Sequence, residues 1–148
     1  KKYVHRVNWD FYSIDTDSFI SGTQAEICTD ESEITELLKG HARKSSVWPG
    51  DDEVIFWGGK RIDGQLVSVG ALVQWRTGQV MFASIATHTD YRGKGLAQEL
   101  VREMLTSIAV QGISHVGLGV FAENASAKRA YEKVGFNLVN EFSSYAIR

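Results

Sequence analysis

The chain has 148 residues, 43% of them hydrophobic, 23% charged and 11% aromatic, which suffices for one compact domain with a sizeable core and leaves no room for a second. Sixteen Lys and Arg against eighteen Asp and Glu give a formal charge of −2, too little positive field to hold a nucleic-acid backbone, so no nucleic-acid partner is expected. The single cysteine, Cys28, excludes an internal disulfide and, with no paired His/Cys spacing beside it, a structural zinc site; a reducing, cytoplasmic setting and no metal are the expectation. No apolar run approaches the roughly 18 residues of a membrane span, and Lys1 to Asp10 lack a signal-peptide core, so no membrane partner is expected either. Because Lys1 is not a start methionine, residues 1–148 read as a single domain that is either whole or a fragment of a longer chain.

Between Val7 and Leu38 the sequence holds eight acids and no Lys or Arg. Within that stretch Thr29 or Asp30 can cap a short helix that turns Ile34, Leu37 and Leu38 inward and ends near Gly40; little else in the first forty residues reads as a defined element. Positions 42–52, with Ser45, Ser46, Pro49 and Gly50, read as a loop. From Val54 the pattern turns to strands. Val54–Trp57 and Leu66–Val73 flank Asp63-Gly64, the strongest two-residue hairpin signal; Thr77-Gly78 makes a second turn, and Val80–His88 supplies a third strand. Leu96, Ala97, Leu100, Val101, Met104, Leu105 and Ile108 then recur at the three- and four-residue steps of an amphipathic helix, which Gly112 ends. His115–Phe121 is a further strand. Asn124 opens a second helix with Ala127, Ala130, Tyr131 and Val134 on one face, Gly135 stops it, and Leu138–Ile147 closes the sheet. The strand-helix-strand unit over 80–121 requires a parallel crossover, so the fold class is α/β (α+β): a mixed, mostly antiparallel sheet flanked by helices on both faces.

Two segments carry chemistry. Tyr91-Arg92-Gly93-Lys94-Gly95-Leu96-Ala97 sits where the third strand gives way to the first turn of the long helix. Free N–H groups and the helix dipole at such a terminus attract phosphate, glycines let backbone approach it closely, and Arg92 and Lys94 add charge; the alternative is an ordinary basic connector. It is not a Walker A loop, since no Gly-x-x-x-x-Gly-Lys-Ser/Thr occurs. Gly117-Leu118-Gly119-Val120-Phe121-Ala122 matches the dinucleotide pattern, but its glycines fall inside a strand instead of leading into a helix, which excludes that reading. In the second segment, Asn124 to Phe136, Tyr131 follows Asn124 by two helical turns; the residues alone allow a helix cap and a core aromatic as readily as a site.

Taken together, in this order and at this separation, the two segments resemble the GNAT superfamily of acyl-CoA-dependent N-acyltransferases. The family's Gln/Arg-x-x-Gly-x-Gly/Ala is met by Arg92-Gly93-Lys94-Gly95-Leu96-Ala97, and its Asn-x-x-Ala-x-x-x-Tyr-x-x-x-Gly-Phe by Asn124, Ala127, Tyr131, Gly135 and Phe136. The motifs span Ile85 to Phe136, and the element order extends the resemblance back to about Val54. Thr89 stands where many relatives carry proline, and Ala97 replaces the commoner glycine.

The resemblance implies acetyl-CoA as co-substrate, held where two parallel strands splay apart. Amides of Gly93, Lys94, Gly95, Leu96, Ala97 and Gln98 would cradle the pyrophosphate, flanked by Arg92 and Lys94. Ile85, Ala86 and Thr87 would line the pantetheine arm, which Asn124 meets from the other side, and Lys128 would reach a phosphate. Tyr131 would be the general acid that protonates the leaving thiolate. The acceptor would be a small-molecule or peptide amine, and the protein a monomer or homodimer. Positions 79–88 hold no carboxylate where many relatives place a glutamate base. His88 is one substitute, and a water relay to Glu26 or Glu53 another. The acid-only stretch suggests a cationic amine, against the simpler reading of a solvated acidic face. A non-catalytic acyl-CoA-binding module, half of a tandem acyltransferase, or a nucleotide-binding regulator would use the same cradle.

Overall fold

A computed structural model of the chain describes residues 4–147, with side chains described for residues 8–141. Seven strands form one sheet: β1 (Val4–Asp15), β2 (Glu26–Cys28), β3 (Val54–Ile62), β4 (Gln65–Gln74), β5 (Val80–Thr87), β6 (His115–Phe121) and β7 (Asn137–Ile147), in the spatial order β2-β3-β4-β5-β6-β1-β7. Three helices cover it: α1 (Glu31–His41), α2 (Leu96–Val110) and α3 (Ala125–Val134). The expected meander is present as β3-β4-β5. Asp63 and Gly64 both take positive φ, 51° and 82°, the mirror-image turn whose twist matches the strands.

The sheet is buried on both faces. On one, Ile34, Leu37 and Leu38 of α1 pack with Trp57, Val69, Ala71 and Val73; on the other, Leu100, Met104, Leu105 and Ile108 of α2 pack with Phe56, Leu72, Val116 and Leu118. Asp30 caps α1, its Oδ1 accepting from Ser32 and Glu33 amides. Gly58 and Gly70 make way for α2: a Cβ on Gly58 would stand 2.8 Å from Met104 Cγ. The Gly117-x-Gly119 pair lies inside β6, as its context requires, and a Cβ on Gly119 would touch the rings of Trp9 and Phe11.

Two strands lie outside the expectation, the short edge strand β2, which pairs antiparallel with β3, and the long β1. β1 inserts between β6 and β7 and pairs antiparallel with both. Its inward residues on the α3 side are Asp10, Tyr12 and Ile14, all buried. Asp10 Oδ2 lies 2.7 Å from Lys128 Nζ, and the Tyr12 hydroxyl donates to Glu132 at 3.0 Å, so two polar ties fasten α3 to β1. Burial and the Glu132 carboxylate push the Tyr12 phenol up to about 12, so it remains a donor.

Two irregularities in β5 open the sheet between β5 and β6. Against β4 the pairing steps from Val69↔Ala86 to Ala71↔Ala83, one residue extra on β5, and Ser84 in the bulge has φ 51°. Against β6 the parallel pairing consists of Met81↔Gly117, after which the strands diverge. The Ser84 hydroxyl ties the bulge to the 42–52 loop, donating to Val47 O at 2.7 Å and accepting from Val47 N at 3.1 Å. Replacing Ser84 with alanine strips partners from both backbone groups of buried Val47. The expected cost is about 1–3 kcal/mol, read as a lower urea midpoint with an unchanged m-value.

Candidate active site

The divergence of β5 from β6 leaves a gap through the sheet. Backbone alternation decides what faces it: His88 N donates to Val67 O and Ala86 O accepts from Ser68 Oγ, both on the β4 side, so the peptide groups of Ile85 and Thr87 point toward the gap. Thr87 O is taken by Arg92 Nε at 3.2 Å; beyond Met81 the β6 ladder claims neither residue.

At the end of β5 the chain makes a short 3₁₀ turn over Thr89–Tyr91 and enters α2 through Gly93 and Gly95, with φ of 78° and 75°. Both are left-handed, and a Cβ on either would project into open space, so the glycines serve the backbone path. No side chain caps α2. Consecutive amides from Gly93 to Gln98 therefore converge without an acceptor among the described residues, reinforced by the positive end of a 15-residue helix. This nest has the donors and the approach that a diphosphate needs.

A groove of about 550 Å³ runs from this nest along the gap, bordered by Ile85, Ala86 and Thr87 on one side and α3 on the other. Of the residues expected at the site, Ile85, Ala86, Thr87, Arg92, Gly93, Gly95, Leu96, Ala97, Gln98, Asn124 and Tyr131 border it together. Lys94 is exposed at the turn, its ammonium 5.3 Å from the centre of the Tyr91 ring. Arg92 is a brace as well as a wall: its guanidinium donates to Thr87 O and to His41 O, fastening the end of α1 to the end of β5. Asn124 caps α3, its Oδ1 accepting from Ala127 N at 3.1 Å, which leaves its amide hydrogens for the groove. Lys128 is not at the groove wall. Its ammonium is held by Asp10 and by Ala122 O at 3.0 Å, which raises its pKa, and Arg129 and Lys133 border the groove instead. Adjacent basic residues on a helix point in directions 100° apart, and only the position of β1 decides which is consumed.

Tyr131 lies half-buried at the inner end, its ring edge-on to Phe136 with centroids 6.0 Å apart; burial alone pushes its phenol up to about 12. It also borders a second cavity of about 300 Å³ on the α1 face of the sheet, as do Ile85 and Ala42. The remaining walls of that cavity include the 44–46 loop, Trp9 and Phe121. Carried on the opposite face, Tyr131 reaches this second cavity because β5 and β6 have parted.

The candidate bases stand elsewhere. His88 caps the 3₁₀ turn, its Nδ1 accepting from Asp90 N; Glu26 is paired with Arg61 at 2.7 Å; neither they nor Glu53 border either cavity. The eight acids between Val7 and Leu38 are engaged structurally or face solvent, and none borders the groove or the second cavity, so they form no acidic rim there. Cys28 lies buried on β2, its thiol pushed up to about 11 by burial and by Glu26, a poor nucleophile.

An Acetyltransferase (GNAT) family model matches residues 9–136. Mycothiol acetyltransferase of Corynebacterium aurimucosum is 36% identical over 69 residues, 47% of this chain and 22% of that protein. The [ribosomal protein bS18]-alanine N-acetyltransferase of Escherichia coli K12 is 29% identical over 85 residues, 54% of this chain and 57% of that one. Among solved structures, a GNAT-family protein from Novosphingobium aromaticivorans superposes with a TM-score of 0.77 at 22% identity, over 99% of this chain and 66% of that chain. The chain thus spans less than two thirds of each of these proteins. No described helix is long and apolar enough to cross a membrane.

Two imidazoles hold the turn that leads into the nest. His41 and His88 lie with ring centroids 3.8 Å apart, and their Nδ1 atoms accept from the successive amides of Thr89 and Asp90. Burial, the neighbouring His88 ring and the Arg92 guanidinium hold the His41 pKa below its ordinary value, against the pull of the Asp90 carboxylate. His41 is therefore neutral in the fold, and protonating Nδ1 would cancel its bond to Thr89. Its stabilising effect is complete above about pH 6.5, where the unfolded imidazole is also neutral, and is lost as pH falls below it. His41→Asn keeps an acceptor without a titration. Its unfolding midpoint should drop less than that of the parent between pH 7.5 and 5.5; an equal drop in both would show that His41 carries none of the dependence.

Proposed function

Because the chain belongs to the GNAT family of acetyltransferases, we propose that it transfers an acetyl group from acetyl-CoA to a primary amine by direct attack within a ternary complex. The observation that carries this reading is that Tyr131 and Ile85 border both the groove behind the amide nest and the cavity on the far face. A thioester threaded through the gap would meet an amine from the other side.

In this assignment the amides of residues 93–98 hold the pyrophosphate, with Lys94, Arg129 and Lys133 supplying positive charge around them. Ile85 and the Thr87 amide pair with the pantetheine arm in the manner of an added strand, and the Asn124 side-chain amide donates from α3. The coenzyme supplies an activated acetyl group on sulfur. The protein's work is to align that group, exclude water and manage protons. The backbone N–H of Ile85, which faces the gap, polarises the thioester carbonyl in this reading. As the nitrogen–carbon bond forms and the carbon–sulfur bond breaks, the Tyr131 phenol gives its proton to the departing sulfur. The proton lost by the amine passes to water, and the phenolate is reprotonated from solvent. A phenol at about 12 is fully protonated at neutral pH, the state a general acid must start from.

Tyr131→Phe removes the proton and keeps the ring against Phe136. The expected result is a fall in kcat of roughly 10²–10⁴ with coenzyme affinity within a factor of two or so of the parent, measured by thiol release and by calorimetric titration of CoA. Full activity in this variant would refute the assignment of the acid. Tight CoA binding by the parent with no thiol release for any amine would favour a binding module.

A further inference from the structure

The second cavity, the one on the α1 face, has walls of a definite chemistry. Trp9 of β1 and Phe121 of β6 are directly opposite in the ladder, their rings stacked with centroids 4.3 Å apart and 29° between planes. Phe121 is 48% exposed, and Gly119 leaves the floor beside Trp9 without a side chain. Across from them runs the 44–46 loop. Its course is fixed by three bonds: Ser84 to Val47, Trp48 Nε1 to Ser45 O at 2.8 Å, and Ser45 Oγ to Ala42 O at 2.7 Å. Lys44 is the one charged side chain lining the cavity among the described residues, and no described carboxylate pairs with it.

We infer that this cavity takes an amine acceptor with a planar aromatic ring and a carboxylate, the chemistry of an aromatic amino acid. The inference rests on the acetyl-transfer reading above and specifies its acceptor. With the amine at the junction formed by Tyr131 and Ile85, the ring lies against the aromatic pair, chiefly the exposed Phe121, and the carboxylate meets Lys44 at the rim. Aromatic pairing favours a flat apolar body beyond the area it buries, and a lone ammonium at the rim repels polyamines and favours an anion. A cavity of about 300 Å³ is at the small end for ligand sites and suits one ring with its substituents, not a folded chain.

The test compares L-phenylalanine, phenethylamine and spermidine as acceptors with acetyl-CoA, in the parent, Lys44→Glu and Phe121→Ala, with CoA affinity titrated for each protein. Expected for the parent is a kcat/KM order of phenylalanine, phenethylamine, then spermidine. Lys44→Glu should invert the first two, and Phe121→Ala should lower both by about tenfold, with CoA affinity unchanged throughout. Preference for spermidine, or a phenylalanine-to-phenethylamine ratio unmoved by Lys44→Glu, overturns the inference. If no acceptor turns over, calorimetric titration of L-phenylalanine into the CoA-saturated protein decides it: binding that Lys44→Glu abolishes supports the inference, and no binding overturns it. Failure of the parent to bind CoA at all would instead sink the acetyl-transfer reading.

Discussion

The gap between β5 and β6 is the constraint on which the rest of the structure depends. Two parallel strands that met along their length would satisfy each other's backbone groups and seal the sheet. These pair at Met81↔Gly117 and then separate, leaving the peptide groups of Ile85 and Thr87 without ladder partners from β6. An opening of this kind costs backbone hydrogen bonds, and the surrounding structure props it open. The bulge at Ser84 turns β5 away, the Ser84 hydroxyl fastens it to the 42–52 loop, and Arg92 braces its far end against α1. β6 is held from the other side by a full antiparallel ladder to β1, which in turn pairs with β7. The opening therefore has rigid edges, which lets a ligand with a peptide-like arm substitute for the missing strand without first paying to order it.

The anion nest and the gap belong to the same turn of chain. β5 delivers the backbone to the mouth of the gap, and within eight residues two left-handed glycines aim the uncapped start of α2 at it. The closely packed imidazoles of His41 and His88, tilted 35° to each other, flank the short turn between them, each accepting one backbone amide. Their placement couples α1 to the nest: the same His41 whose ring supports Thr89 offers its carbonyl to Arg92.

Much of this was legible in the residues. Hairpin dipeptides, the helix-period apolar positions of α2 and the capping pattern of Asp30 and Asn124 are local signals, and local signals fold as written. The two motif segments placed the nest, the groove wall and Tyr131, because glycine spacing and a helical period are one-dimensional facts. β1 was hidden because its buried face, Asp10, Tyr12 and Ile14, opens on a carboxylate while half-buried aromatics, Trp9 and Phe11, stand on the other face. Alternation fails as a guide where a buried carboxylate, compensated by Lys128 from a helix more than a hundred residues away, stands in place of an apolar residue. The same long-range pair explains why Lys128 could not be told from Arg129 in advance. The aromatic pair of Trp9 and Phe121, and the approach of His41 to the groove, are likewise set by strand order, which no local pattern records. The run of acids was legible as charge and not as position: its members cap, pair and face solvent, and the cavity walls come from elsewhere.

In the proposed complex the amides of residues 93–98 and the gap-facing backbone of Ile85 and Thr87 act as one binding surface. A ¹H–¹⁵N correlation spectrum of the full chain titrated with CoA tests it most directly, since an amide that gains a phosphate or carbonyl acceptor moves downfield. The largest downfield shifts, saturating together, are expected at Gly93 to Gln98, Ile85 and Thr87. Saturable binding that leaves those amides in place, or that shifts a set of residues away from the start of α2, would contradict it.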